Sequence, residues 1–171
     1  NSKVDGKVVV EWRCPFFDRW YQMIRRCYSK DKRYEKSYTD VTVCEEWLTF
    51  SNFRAWMESQ DWEGKYLDKD IKIKGNRIYS PQTCLFISNH VNCVLVDTHN
   101  DKETGLPKGV TYHGGTGKYM CRVRDGDKRN YFGLYEKLED ALRVYKIEKN
   151  KVLVSLSEEV PEILNHIYKD I

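Results

Sequence analysis

No run of apolar residues in this chain approaches the roughly 20 that a membrane-spanning helix needs, and no signal-peptide pattern opens it. These two absences predict a soluble, cytoplasmic protein with no membrane partner. Close cysteine pairs are missing too: six cysteines are present but no C-x-x-C. Where thiols stay reduced, such cysteines serve as small apolar residues rather than as a disulfide framework. A structural Zn²⁺ on Cys14, Cys27, Cys44 and Cys84 is the minor alternative, because zinc sites usually announce themselves through close pairs. Internal repeats are lacking as well, which excludes solenoids and propellers.

What is present is a chain of 171 residues, 40% hydrophobic and 13% aromatic. That is enough apolar material for one large or two small domains, and it excludes wholesale disorder. The net charge of +3 does not by itself imply a nucleic-acid partner. Its distribution says more. Residues 108–151 hold 11 Lys/Arg against 6 Asp/Glu, residues 1–38 hold 10 against 5, and the middle is acidic. Positive charge interleaved with aromatics is the footprint of phosphate-backbone binding, with a merely solvated face as the bland alternative.

Periodicity places the elements. Lys7–Trp12 reads as a short strand or arm. Phe17, Trp20, Tyr21, Ile24 and Cys27 recur at helical steps after Pro15, predicting a helix over Pro15–Tyr28 with Arg19, Arg25 and Arg26 outward. Val43–Ser59 carries Trp47, Phe50, Phe53 and Trp56/Met57 at helical spacing, in two pieces broken near Thr49–Asn52, and those aromatics read as core. Leu67–Ile73 alternates like a strand, Lys74–Asn76 turns the chain, and Ile78–Tyr79 starts a return strand. Cys84–Ile87 reads as a buried strand, and Ser88 caps a short helix to about Val96. The polar stretch at 98–107 marks a linker.

Beyond it, Gly109–His113, Lys118–Arg124 and Lys128–Tyr135 alternate as three strands, followed by a helix over Glu136–Lys149 and a last helix over Glu158–Ile171. Alternation alone puts Lys118, Met120, Arg122 and Arg124 on one face. Gly109-Val110, Gly117-Lys118-Tyr119, Arg122-Val123-Arg124, Tyr131-Phe132-Gly133 and Leu138-Glu139-Asp140-Ala141 with Tyr145 resemble an AP2-type DNA-binding domain. The resemblance implies that the sheet lies in the major groove, with Thr111, Lys118, Arg122, Arg124, Arg129 and Tyr131 as DNA contacts. Thr111 departs from the Arg often found there, so the base preference is open.

Leu67-Asp68-Lys69-Asp70, Gly75-Asn76, Tyr79-Ser80-Pro81, Thr83-Cys84 and Asn92 are similar to the core of phage HNH-type homing endonucleases. That resemblance implies a ββα-metal core with Asp68 and Asn92 holding Mg²⁺ or Mn²⁺, Asn92 lying nine residues beyond Thr83. Lys69 stands where the family's catalytic histidine belongs, and Thr83 replaces its asparagine. A lysine of ordinary pKa is protonated and cannot serve as base. His90 is then the candidate substitute base, Lys69 a stabiliser of phosphorane charge, and Asp70 an extra carboxylate.

The expected architecture is therefore α+β: a helical arm and nuclease-like core over 1–97, a linker over 98–107, and a sheet module with a packed helix over 108–171. The expected function is metal-dependent endonuclease action on double-stranded DNA, in the cytoplasm of a bacterial host if the chain is phage-encoded. The alternatives are a DNA-binding regulator or anti-defence protein on a decayed core and, more remotely, an aromatic-rich protein-binding module.

Overall fold

The computed structural model describes residues 2–4, 7–9, 13–30, 38–96, 101 and 103–169. The chain is α+β. An antiparallel hairpin pairs β1 (Ser2–Val4) with β2 (Lys7–Val9), so the strand expected at Lys7–Trp12 is present in its first residues and its end lies outside those described. Helix α1 spans Pro15–Tyr28, with Pro15 in the first turn, where the missing N–H costs nothing. A 3-10 turn at Glu45–Leu48 leads into α2 (Phe50–Glu58), and the expected break falls at Thr49.

Met23, Trp47, Phe53, Met57, Tyr79, Cys84 and Phe86 form the first core cluster, with Phe16, Trp20, Ile24 and Cys27 packed against it. The inward face of α1 is thus turned from the expected one. Phe17 and Tyr21 are 44% and 48% exposed, while Phe16 and Met23 face inward. Trp47 meets Phe53 edge-on at 5.1 Å and Trp56 at 4.5 Å, close aromatic contacts that add to the burial of their area.

The middle of the chain departs further from expectation. Strand β4 is Tyr66–Asp68 only, and it does not pair with β5 (Ile78–Tyr79). Instead β4 runs antiparallel to β6 (Leu85–Ile87), while β5 lies parallel to β3 (Thr42–Val43). Beyond Asp68 the chain bends, because the Asp68 carboxylate accepts the backbone N–H groups of Asp70 and Ile71 at 2.8 Å each. That side-chain turn competes with any continued strand. Ser88 Oγ accepts the Val91 N–H at 3.3 Å and caps α3 (Asn89–Val96), as expected.

Three strands, β7 (Val110–His113), β8 (Lys118–Asp125) and β9 (Lys128–Tyr135), form an antiparallel sheet in that order. Helix α4 runs over Leu138–Ser155, longer than expected, and its first half lays Ala141 and Tyr145 on Val110, Cys121 and Val123. The chain closes with a 3-10 helix at Pro161–His166 rather than an α-helix, with Ile163 buried and Leu164 exposed.

The end of α4 and the segment after it do something else. Leu153, Leu156, Val160 and Ile163 share a core with Ile71, Ile87, Val91, Val94 and Leu95, so residues on both sides of 98–107 are packed together. Lys149, fully buried, donates from Nζ to the Val94 carbonyl at 2.8 Å, near the end of α3, where unsatisfied carbonyls favour a cation.

Candidate nucleic-acid interface

Cross-strand partners share a face of a sheet, so the register decides which side chains meet. His113 stands opposite Lys118, Thr111 opposite Met120, Met120 opposite Leu134, Arg122 opposite Tyr131 and Arg124 opposite Arg129. Of the other rows, Val110 with Cys121 and Cys121 with Gly133 face α4. All six sequence-derived contact residues, Thr111, Lys118, Arg122, Arg124, Arg129 and Tyr131, therefore lie on the one face turned from the helix. His113, Met120 and Leu134 share it. His113 was findable, since it follows Thr111 at the strand period of two.

Simple alternation along β9 puts Tyr131 and Tyr135 on the same face, and the structure corrects this. The register shifts between Cys121 and Arg122, leaving Phe132 as an extra residue. Phe132 and Tyr135 then both pack toward α4, tied by the Tyr135 hydroxyl donating to the Phe132 carbonyl at 2.7 Å, while Tyr131 stays outside at 57% exposure.

Electrostatically the face is under-compensated. Among the described residues, neither the Arg122 nor the Arg129 guanidinium has a hydrogen bond or ion pair, and neither side chain is buried. Lys118 meets Glu136 at 3.4 Å in an exposed pair of the weak, salt-screened kind. Arg124 donates from Nε to the Gly126 carbonyl at 2.9 Å, which ties it to the β8–β9 turn and leaves its other guanidinium nitrogens without a hydrogen-bond partner among the described residues.

A second site lies in the middle of the chain. Asp68, Lys69, Asp70 and Asn92 line one cavity of about 260 Å³ with Arg26, Tyr38, Tyr66, Leu67, Tyr79 and Val96. The structure thus brings the expected metal ligands and Lys69 together. Arg26, read from the sequence only as part of an outward basic face, is a wall of the same cavity. Lys69 Nζ lies 2.8 and 2.7 Å from the two Asp70 carboxylate oxygens and 3.0 Å from the Asn76 carbonyl. Thr83 serves the loop from its own side, donating to the Ile78 carbonyl at 2.7 Å.

This arrangement is a poor fit for a divalent ion. Such an ion wants hard oxygens with nothing cationic among them, whereas an ammonium already serves the Asp70 carboxylate. Among the described residues, no group of three or more His, Cys, Asp or Glu is gathered to hold a metal. Burial pushes the Cys27 and Cys84 thiols up to about 11 and about 12, keeping both protonated at neutral pH.

His90 is elsewhere. Its Nε2 lies 2.6 Å from Asp125 Oδ1 in a separate cleft of about 320 Å³ lined also by Asn89, Gly126, Asp127 and Lys128. The structure does not bring it to Asp68.

Burial raises the Asp68 carboxyl above the ordinary carboxylate range, against the lowering effect of the two backbone N–H groups it accepts. The folded protein then holds this proton more tightly than the unfolded chain does. Ionisation of Asp68 costs stability as pH rises through that window, and the cost is absent below the unfolded value. The Asp68→Asn variant keeps an oxygen acceptor and removes the charge. It is expected to melt higher at pH 7, with the difference vanishing once the pH falls below the ordinary carboxylate range. Thermal melts across pH check this, and a variant that melts no higher at pH 7 would contradict it.

No family model, curated protein or solved structure matches this chain in comparisons with all three. Among the described residues, no helix is long and apolar enough to cross a membrane.

Proposed function

We propose that this chain binds duplex DNA through the outer face of its three-stranded sheet. The observation that supports it best is the convergence of Lys118, Arg122, Arg124, Arg129 and Tyr131 on one face, with the Arg122 and Arg129 side chains lacking a partner among the described residues. A β-sheet face of this kind fits the major groove, arginine can take guanine edges in a bidentate grip, and lysine neutralises phosphate. The core behind the sheet then acts as a scaffold, in keeping with a Lys69 held by Asp70 and the Asn76 carbonyl and a His90 held by Asp125.

A second reading, metal-dependent hydrolysis of the duplex, is favoured by one observation: Asp68, Asp70 and Asn92 line a single cavity. One experiment separates the two. Labelled duplex is titrated with protein in low salt and EDTA, and supercoiled plasmid is then incubated with Mg²⁺ or Mn²⁺. The expected result is duplex retained in EDTA and plasmid left intact. Metal-dependent nicking abolished by Asp68→Ala establishes the second reading, and no retention at any salt removes the first.

A further inference from the structure

Lys69 is only 8% exposed, in the bend that follows β4. An ammonium has three donors and no acceptor. All three directions are taken up by oxygen: Asp70 Oδ2 at 2.7 Å, Asp70 Oδ1 at 2.8 Å and the Asn76 carbonyl at 3.0 Å. The Tyr79 ring lies 5.8 Å away, a cation–π contact on a further side. The loop closes on itself, because Asn76 Nδ2 donates back to the Lys69 carbonyl at 2.9 Å and to the Ile78 carbonyl at 2.7 Å. Two carboxylate oxygens and a backbone carbonyl around a buried positive charge form the kind of shell that loops offer to hard cations. Here the positive charge is carried by the chain.

We propose that the Lys69 ammonium is the resident cation of this cavity, holding Asp70 and the 69–76 loop where a free divalent ion would otherwise bind. The intact chain therefore takes no Mg²⁺ or Mn²⁺ at this position, and its loop closure is independent of metal. Removing the charge leaves the Asp70 carboxylate without its cation, with Asp68 and Asn92 lining the same cavity. The substitution then creates a site for a hard divalent cation. The inference deepens the scaffold role given to the core, but it does not depend on whether the sheet binds DNA, because its test contains none.

The test is a Mn²⁺ titration of the full chain, without DNA, followed by electron paramagnetic resonance of the free ion. The wild-type chain is expected to bind Mn²⁺ no better than Asp70→Asn does. Lys69→Met, neutral and of similar length, is expected to bind at least about tenfold more tightly, and Lys69→Met with Asp70→Asn to lose that gain. Saturable one-to-one binding by the wild type that falls on Asp70→Asn overturns the proposal, as does a folded Lys69→Met with no gain. If Lys69→Met does not fold by circular dichroism, the wild-type melting temperature decides. An unchanged value at about 1 mM Mn²⁺ supports the resident ammonium, and a rise that Asp70→Asn removes overturns it.

Discussion

Replacing Arg122 and Arg129 together by alanine is expected to lower duplex affinity by about 30-fold or more and to flatten its dependence on salt. Each bidentate arginine–base contact contributes about 1–3 kcal/mol, so two lost contacts exceed a factor of ten even at the low end. If the arginines grip phosphates instead, the loss is uniform across sequences and the slope of log K against log salt falls by about 0.9 per arginine. Neither side chain has an internal partner among the described residues, so the double substitution is expected to leave the melting temperature within about 2 °C of the wild-type value. Arg124→Ala is less clean, because its Nε holds the Gly126 carbonyl and the β8–β9 turn with it. Fluorescence anisotropy of a labelled duplex at several salt concentrations measures both terms. Unchanged affinity in a folded double variant would show that the outer face is not the contact surface.

Gly109→Ala is expected to damage the sheet itself. A Cβ at this position falls 2.0 Å from the Arg122 carbonyl oxygen and 2.5 and 2.8 Å from ring carbons of the buried Tyr145. Neither neighbour can yield. The Arg122 N–H donates to the Gly109 carbonyl at 2.7 Å, beside the register shift that keeps Tyr131 outside, and Tyr145 sits at the centre of the sheet–helix core. Overpacking of this kind costs about 3 kcal/mol, or about 6–12 °C in melting temperature for a chain of this size. Duplex affinity is expected to fall with it, since the Arg122 backbone must move. Gly114→Ala is the control: a Cβ there meets nothing within 4 Å, and the melting temperature should hold. Equal melting of the two variants contradicts the close packing of Gly109.

These effects differ in how far the sequence announces them. The helix at Pro15–Tyr28, the break at Thr49 and the three strands after Gly109 were legible because their signals are local: a proline in the first turn, aromatic spacing, and glycine turns between alternating segments. The pairing of β4 with β6 and of β5 with β3 was not, because strands of two or three residues carry no register signal of their own. The Asx-type turn at Asp68 stops a pattern that alternates on paper through Ile73.

The candidate DNA face came from alternation plus resemblance, and the register assembled it as expected except at Phe132, where one extra residue resets the phase of β9. Least legible were the long-range polar contacts. Nothing near Lys149 in the sequence points to the Val94 carbonyl, and nothing near His90 points to Asp125. Lys69 stood out only as an unexpected residue in a motif; that its ammonium is enclosed by Asp70 and Asn76 is a property of the folded loop.

We propose the outer face of the β7–β9 sheet as the surface that meets DNA. Titrating isotope-labelled protein with a short duplex and following amide shifts tests it most directly. Perturbations are expected at Thr111, Lys118, Arg122, Arg124, Arg129 and Tyr131, with Ala141 and Tyr145 on α4 unmoved. Perturbations confined to α4 or α1, with the sheet silent, would contradict it.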